Sequence, residues 1–337
     1  MGYSKAITKE GVDFITHVCT VGMAGDKRGN TLLKGKNSYA LPFCAQPEAS
    51  KVWTCDIKIP NSLGIITIST AGELAQALIY WFNYYSEMFN LDANVIAAQA
   101  YAESTYYMWN YAGGDSSASG VNQFLSSTLY EIVIKDNGKS YASINYFTDA
   151  EVNKLINGLT QGRILASYQP GGNTNEPSPV HQVAWNNRPI LHQNMINNPD
   201  IMIKAQCLYM SWISNRCNTL TSSTLFGYSR GPAYSLKTYT DSIELCASKS
   251  TDKYLQEGLN YVLKIFGVLG DKNNFLSDKG LGRYYKPVGK YFGYDESKGD
   301  TTKNLRLTLP FDPVNANIAQ SMLKYPSPNP PPKPPLI

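Results

Sequence analysis

A long segment that is apolar on nearly every side most constrains how this chain can fold. ELAQALIYWFNYYSEMF, residues 73–89, follows Thr70-Ala-Gly-Glu73, which has the spacing of a helix capping box. A helix with so little polar surface must be covered by other elements, so it belongs in the middle of a domain. A chain of 337 residues, 43% hydrophobic and 17% charged, is long and apolar enough to supply that cover.

The next segment, LDANVIAAQAYAESTYY, predicts a second helix that carries a carboxylate on an apolar face. Asp92 is a suitable N-cap, and Ile96, Ala100, Glu103 and Tyr107 recur at helical spacing. A carboxyl among apolar groups holds its proton at a higher pH than one in water, which suits a general acid. An ordinary solvated glutamate is the alternative interpretation of Glu103.

Helical and loop segments alternate after this point. GGDSSASGVNQF and TLFGYSRGPAYS have turn composition, and residues 161–198, rich in Pro, Gly and Asn, predict a long loop that forms a rim or lid over a cleft. Four further segments predict helices: STLYEIVIKD, TDAEVNKLINGL, DIMIKAQCLYMSWISNRC and KYLQEGLNYVLKIFGVLG. The chain is therefore predicted to be mainly α-helical.

The two flanks differ from this helical middle. Residues 1–68 show few helical signals, but KVWTCDIKIP and GIITIST read as short strands, which predicts a small irregular or β-containing N-terminal region. Residues 269–337 end in YPSPNPPPKPPLI, which predicts an extended, Pro-rich C-terminal tail. Each flank is interpreted either as a segment that docks to a partner or as a simple extension without a binding role.

Composition excludes several functions. A net charge of +4 is too diffuse to indicate nucleic-acid binding, and no run is long enough for stable membrane insertion. The six cysteines and three histidines show no metal-ligand spacing, and no phosphate loop or dinucleotide motif occurs, so neither metal nor cofactor is expected. Cys207, inside a helical segment, is expected to be a buried thiol, and the cysteine usage suggests folding in a reducing compartment.

Four stretches, in this order, resemble motifs of the soluble lytic transglycosylase family, which is related to goose-type lysozymes. AYAES resembles the first motif, in which a helix ends on a catalytic Glu followed by Ser; here these are Glu103 and Ser104. SSASGVNQF resembles the second, where Gly120 and Gln123 match and Asn122 stands where Met is usual.

The third and fourth motifs lie further along the chain. FGYSRGPAY resembles Ala-Tyr-Asn-x-Gly-Pro, with Tyr228 matching and with Gly227 and Ser229 departing from the pattern. EGLNYVLKIF is similar to the closing helix, whose Tyr is Tyr261 here. The resemblance implies a lysozyme-like domain over residues 69–268, an accessory region over 1–68 and an extension over 269–337.

The resemblance also implies a mechanism with one carboxylate. Glu103 would protonate the β-1,4 glycosidic oxygen between MurNAc and GlcNAc, and would then take a proton from the 6-hydroxyl of the sugar to close a 1,6-anhydro ring. Ser104 and Gln123 would hold Glu103 or the substrate, and Tyr228 and Tyr261 would orient the carboxyl and shape the sugar site. Core packing and a loop cap are the alternative roles of these residues.

Two other functions stay open at this point. A lysozyme or chitinase on the same scaffold would need a second carboxylate, for which Asp115 and Glu131 are the nearest candidates along the chain, although solvated charges are the favoured interpretation of both. A structural virion protein without turnover is the other. The N-terminus lacks the apolar region of a secretory signal. The expected setting is therefore a phage virion or tail, or the host cytoplasm before release, with peptidoglycan and other virion proteins as partners.

Overall fold

The computed structural model describes residues 6–19, 54–61, 64–104, 106, 118–159, 188–216, 221–231, 258, 261–262, 264–265 and 288–294. These residues are mostly helical, with two small two-stranded sheets, which confirms the predicted mainly α class. Two compact units share the chain. Unit 1 comprises Met1–Phe14, Phe82–Ala102 and Cys207–Pro326, and unit 2 comprises Ile15–Trp81, Glu103–Gln206 and Ser327–Ile337.

Helices account for most of the described chain. In order they are α1 (Lys9–His17), α2 (Ala71–Met88), α3 (Ala93–Ser104), α4 (Ser126–Leu129), a π-helical turn (Tyr130–Ile134), α5 (Lys139–Ala142), α6 (Asp149–Ile156), α7 (Arg188–Asn197), α8 (Pro199–Arg216), α9 (Thr221–Arg230) and a 3-10 turn (Val288–Phe292). Gly258, Tyr261, Val262, Lys264 and Ile265 are also helical, as the sequence predicts for their segment.

Two antiparallel strand pairs complete the described secondary structure. β1 (Thr54–Asn61) pairs with β2 (Gly64–Thr70), with Ile59 opposite Ile66 and an irregularity near Thr54. The predicted N-terminal strands are therefore confirmed. β3 (Ala118–Ser119) and β4 (Phe124–Leu125) pair across the turn that joins them.

The start of α3 is fixed by the cap that the sequence predicts. The Asp92 carboxylate accepts the backbone N–H of Asn94 at 3.0 Å, which satisfies one amide of the first helical turn. The Tyr294 hydroxyl, from far along the chain, donates to the other oxygen of the same carboxylate. Asp92 is buried, and both of its oxygens are hydrogen-bonded.

The N-terminal region corrects one prediction, because it contains a helix. The N–H groups of Ile7 and Thr8 donate at 2.8 Å to the side-chain oxygens of Asn83 and Asn94, so the entry to α1 is tied to α2 and α3 within unit 1. Gly11 is required for the packing of α1, since a Cβ there would lie 2.6 Å from the Phe292 ring. This segment therefore packs on the helices of unit 1, which favours the interpretation of the flank as a simple extension over that of a partner-docking segment.

Two further predictions are wrong in part. The segment 161–198 was expected to be loop, but its last part forms α7, whose Asn194 side chain donates to the carbonyls of Leu155 and Asn157 at 2.7 and 2.9 Å. The stretch TLFGYSRGPAYS was expected to be a turn, but α9 continues to Arg230 and ends at Gly231 in the left-handed region. Tertiary burial outweighs the turn composition in both cases.

The predicted boundaries at residues 68 and 268 stay predictions. The Pro-rich tail and residues 161–187, the remainder of the predicted long loop, lie outside the described residues. Tyr107, Asp115 and Cys44 lie outside them as well.

Candidate functional site

Glu103 lies in the last turn of α3, at the end of a buried run. Ile96 and Ala100, which precede it at helical spacing, have no exposed surface, and Glu103 itself is half-buried. The predicted arrangement, one carboxylate on an otherwise apolar helix face, is therefore present for the described members of that face. A half-buried carboxyl is desolvated enough to act as an acid and accessible enough to contact a ligand.

Ser104, the neighbour of Glu103, connects the first sequence motif to the second within unit 2. Its buried hydroxyl donates to the carbonyl of Val121 at 2.7 Å. Val121 lies in the turn between β3 and β4, and the Gln123 side-chain amide closes this turn by donating to the carbonyl of Gly120 at 2.9 Å. The structure thus brings Ser104 and the turn of Gln123 together, and the bond to Gly120 matches the loop-cap role for Gln123.

The backbone is strained on both of these segments. Gln123 has φ +49°, and Tyr106, fully buried and two residues beyond Ser104, has φ +61°. Side chains of this size rarely adopt the left-handed region, and residues held there occur preferentially at functional sites. The strain therefore coincides with the two motifs that the sequence singles out.

Of the two candidates for the second carboxylate of a hydrolase, the structure describes Glu131. Glu131, on the π-helical turn, is bound to Lys135 at 3.3 Å, one helical turn along the chain, and both side chains are about one-third exposed. This pair matches the interpretation of Glu131 as a solvated helix charge. Asp115 lies outside the described residues.

The two predicted tyrosines are neighbours within unit 1. The rings of Tyr228, on α9, and Tyr261 are stacked, with centroids 6.3 Å apart and planes 10° from parallel. Both residues are half-buried. Beside Tyr228, the Ser229 hydroxyl accepts a hydrogen bond from Nε of Arg230 at 3.2 Å. Ser229, which replaces the Asn of the third motif, therefore contacts its own helix.

A buried ionisable cluster in unit 2 was missed by the sequence reasoning. Lys204 on α8 donates to both oxygens of Glu151 on α6, at 2.9 and 3.0 Å, and lies over the Phe147 ring. Asp200, one turn before Lys204, is fully buried, and burial raises the pKa of its carboxyl to about 7 against the opposing effects of the Ile201 amide and Lys154. The spacing of Asp200 and Lys204 in an otherwise apolar helix was the available signal.

The described cysteines are buried thiols that form no disulfide. Cys207 is fully buried, as predicted, with its sulfur 4.0 Å from the Ser86 hydroxyl, and burial raises the pKa of both Cys207 and Cys19. Among the described residues, no three His, Cys, Asp or Glu side chains gather as a metal site would require. None of the helices in the described ranges has the length and apolar character to span a bilayer.

Comparison of the chain with protein-family models, with curated proteins and with solved structures gives no match.

Proposed function

We propose that this protein is a lytic transglycosylase that cleaves the glycan strands of peptidoglycan at the β-1,4 bond between MurNAc and GlcNAc. In this proposal the helical region is a lysozyme-like domain, and Glu103 is the catalytic residue. The observation that carries the proposal is the bond from Ser104 to Val121 at 2.7 Å, because it joins the Glu-Ser motif to the Gly-x-x-Gln motif in one unit.

The chemistry needs one carboxyl that gives a proton and takes one back. Glu103 protonates the glycosidic oxygen, and the N-acetyl group of the substrate stabilises the oxocarbenium-like centre. The resulting carboxylate then accepts the proton of the 6-hydroxyl, whose oxygen closes the 1,6-anhydro ring. The half-burial of Glu103 and the ion pair of Glu131 both support a mechanism with one carboxylate.

The remaining residues have supporting roles in this proposal. Ser104 fixes the end of α3 against the hairpin turn, and Gln123 holds the shape of that turn. The stacked pair of Tyr228 and Tyr261 offers aromatic faces and hydroxyl groups, which suit the apolar faces and the polar edges of sugar rings. The proposed setting is a phage particle that delivers the enzyme to the cell wall.

The test is digestion of purified peptidoglycan by the wild type, Glu103→Gln and the matched control Glu131→Gln. Removal of a general acid typically lowers the rate by about 10²- to 10⁴-fold, so Glu103→Gln should lose nearly all release of fragments. Glu131→Gln should retain the wild-type rate. Thermal unfolding midpoints establish that all three proteins are folded.

Mass spectrometry of the fragments separates the proposal from its alternatives. Fragments that end in 1,6-anhydro sugars support the transglycosylase. Reducing ends, combined with loss of activity in Glu131→Gln, indicate a lysozyme-type hydrolase with two carboxylates. Intact peptidoglycan after incubation with the folded wild type overturns the enzymatic proposal and favours a structural role.

A further inference from the structure

The stacked tyrosines are part of a longer aromatic row in unit 1. Tyr228 contacts Tyr209 on α8, with centroids 5.7 Å apart, and Tyr209 stacks on Trp212 one turn further along, with centroids 6.0 Å apart and planes 16° from parallel. Tyr261, Tyr228 and Trp212 are half-buried, and Tyr209 is nearly buried. The row therefore has one buried member and three partly exposed ones. Only Tyr228 and Tyr261 were singled out by the sequence.

Arg216 ends this row with a positive charge. Its guanidinium lies 3.7 Å from the centroid of the Trp212 ring, and Nη1 donates to the Trp212 carbonyl at 3.3 Å. These two contacts hold the planar group in one orientation and use one of its five N–H donors. Arg216 is exposed, and across the described ranges no carboxylate forms an ion pair with it.

We propose that Trp212 and Arg216 form a subsite for an acidic sugar, in which the guanidinium binds the carboxylate of the sugar and the aromatic row contacts its ring. This inference rests on the proposed action on glycan strands, and it makes the free lactyl carboxylate of MurNAc units that carry no stem peptide, rather than a neutral amino sugar, the feature that is recognised. An oriented guanidinium is suited to this role, because its paired N–H groups match the two oxygens of a carboxylate.

Binding by the full-length Glu103→Gln protein tests the subsite without cleavage. The probes are a tetrasaccharide of alternating GlcNAc and MurNAc, the same tetrasaccharide with its lactyl groups converted to carboxamides, and chitotetraose. Arg216→Met removes the charge but keeps the aliphatic stem, and Lys9→Met, on the exposed surface of α1, is the control for the loss of one positive charge.

We expect Arg216→Met to weaken binding of the acidic tetrasaccharide about tenfold, the effect of one charge-assisted contact, with no change for the two neutral probes. Lys9→Met should leave all three affinities unchanged. Arg216→Lys, which keeps the charge without the planar fork, should lie between the wild type and Arg216→Met. Trp212→Phe should weaken binding less than Trp212→Ala.

Equal affinity of the acidic and neutral tetrasaccharides, or an equal loss for both in Arg216→Met, overturns the subsite. If Arg216→Met does not fold, the comparison of Arg216→Lys with the parent protein decides the same question, and an unchanged preference for the acidic probe counts against the inference. The digestion assay tests the catalytic proposal separately. If the wild type leaves peptidoglycan intact but the preference for the acidic tetrasaccharide depends on Arg216, the catalytic proposal fails and the subsite stands.

Discussion

Replacing Asp200 by Asn should make the protein more stable at neutral and alkaline pH. Asp200 is fully buried in the first turn of α8, and the cost of its burial outweighs the stabilising effects of the Ile201 amide and of Lys154 on its ionised form. Its ionised form is therefore poorly compensated in the folded protein, whereas the unfolded chain solvates it fully. Asn keeps the size of the side chain and cannot ionise.

The magnitude follows from the raised pKa. Burial raises the pKa of Asp200 from 3.8 to about 7, and each pKa unit corresponds to about 1.4 kcal/mol. Because the folded state holds its proton to a higher pH than the unfolded state, this contribution is fully present at acid pH and is lost between the two pKa values. The free energy of unfolding should thus fall by about 4 kcal/mol as the pH rises from about 4 to 8.

The assay is urea unfolding, followed by fluorescence, at a series of pH values from 4 to 8. The stability of Asp200→Asn relative to the wild type should rise by about 4 kcal/mol between pH 4 and pH 8, because only the wild type loses the contribution of the buried carboxyl group. Asp13→Asn, at an exposed carboxylate on α1, is the matched control. Parallel stability curves for the wild type and Asp200→Asn would refute the reasoning.

Three other changes test contacts described above. Lys204→Met leaves the Glu151 carboxylate buried without its ion pair and should lower the free energy of unfolding in urea by about 3–5 kcal/mol. The double variant Lys204→Met with Glu151→Gln should regain most of this loss, because no buried charge remains. Ser104→Ala leaves the buried Val121 carbonyl without the hydroxyl that donates to it, and should lower the free energy of unfolding by about 1–3 kcal/mol. Ser119→Ala, at a buried hydroxyl without a hydrogen bond, should cause no such loss. Equal losses in the two variants would contradict the importance of the Ser104 bond. Gly11→Ala should cost about 1–3 kcal/mol through overpacking, and an unchanged melting temperature would count against it.

Features that depend on neighbouring residues in the chain were predictable from the sequence. The Asp92 cap, α2, α3 and the strands β1 and β2 follow from local spacing, capping and strand composition, and the structure contains all of them. The placement of Glu103 followed by Ser104 at the end of α3 belongs to the same class. Periodicity and caps act within a few residues, so they can be read without knowledge of the fold.

Features that depend on distant residues were not predictable. Gly227 suggested a turn, but it is buried within α9, where Phe226 packs so closely on Gly258 that a Cβ there would lie 2.5 Å from the ring. α1 was missed for a similar reason, because Gly11 is a contact point and not a helix breaker. Asp200 was missed because its burial comes from surrounding elements, and an aspartate in a first helical turn is ordinarily solvated.

The bond from Tyr294 to Asp92 affects the order in which the protein can be assembled. The two residues are 202 positions apart, and the Phe292 carbonyl accepts the Thr8 hydroxyl across 284 positions. During synthesis, these two contacts can therefore form only after Phe292 and Tyr294 have left the ribosome. Closure of such distant loops is slow. Until it occurs, the nascent chain exposes apolar surface that chaperones can bind.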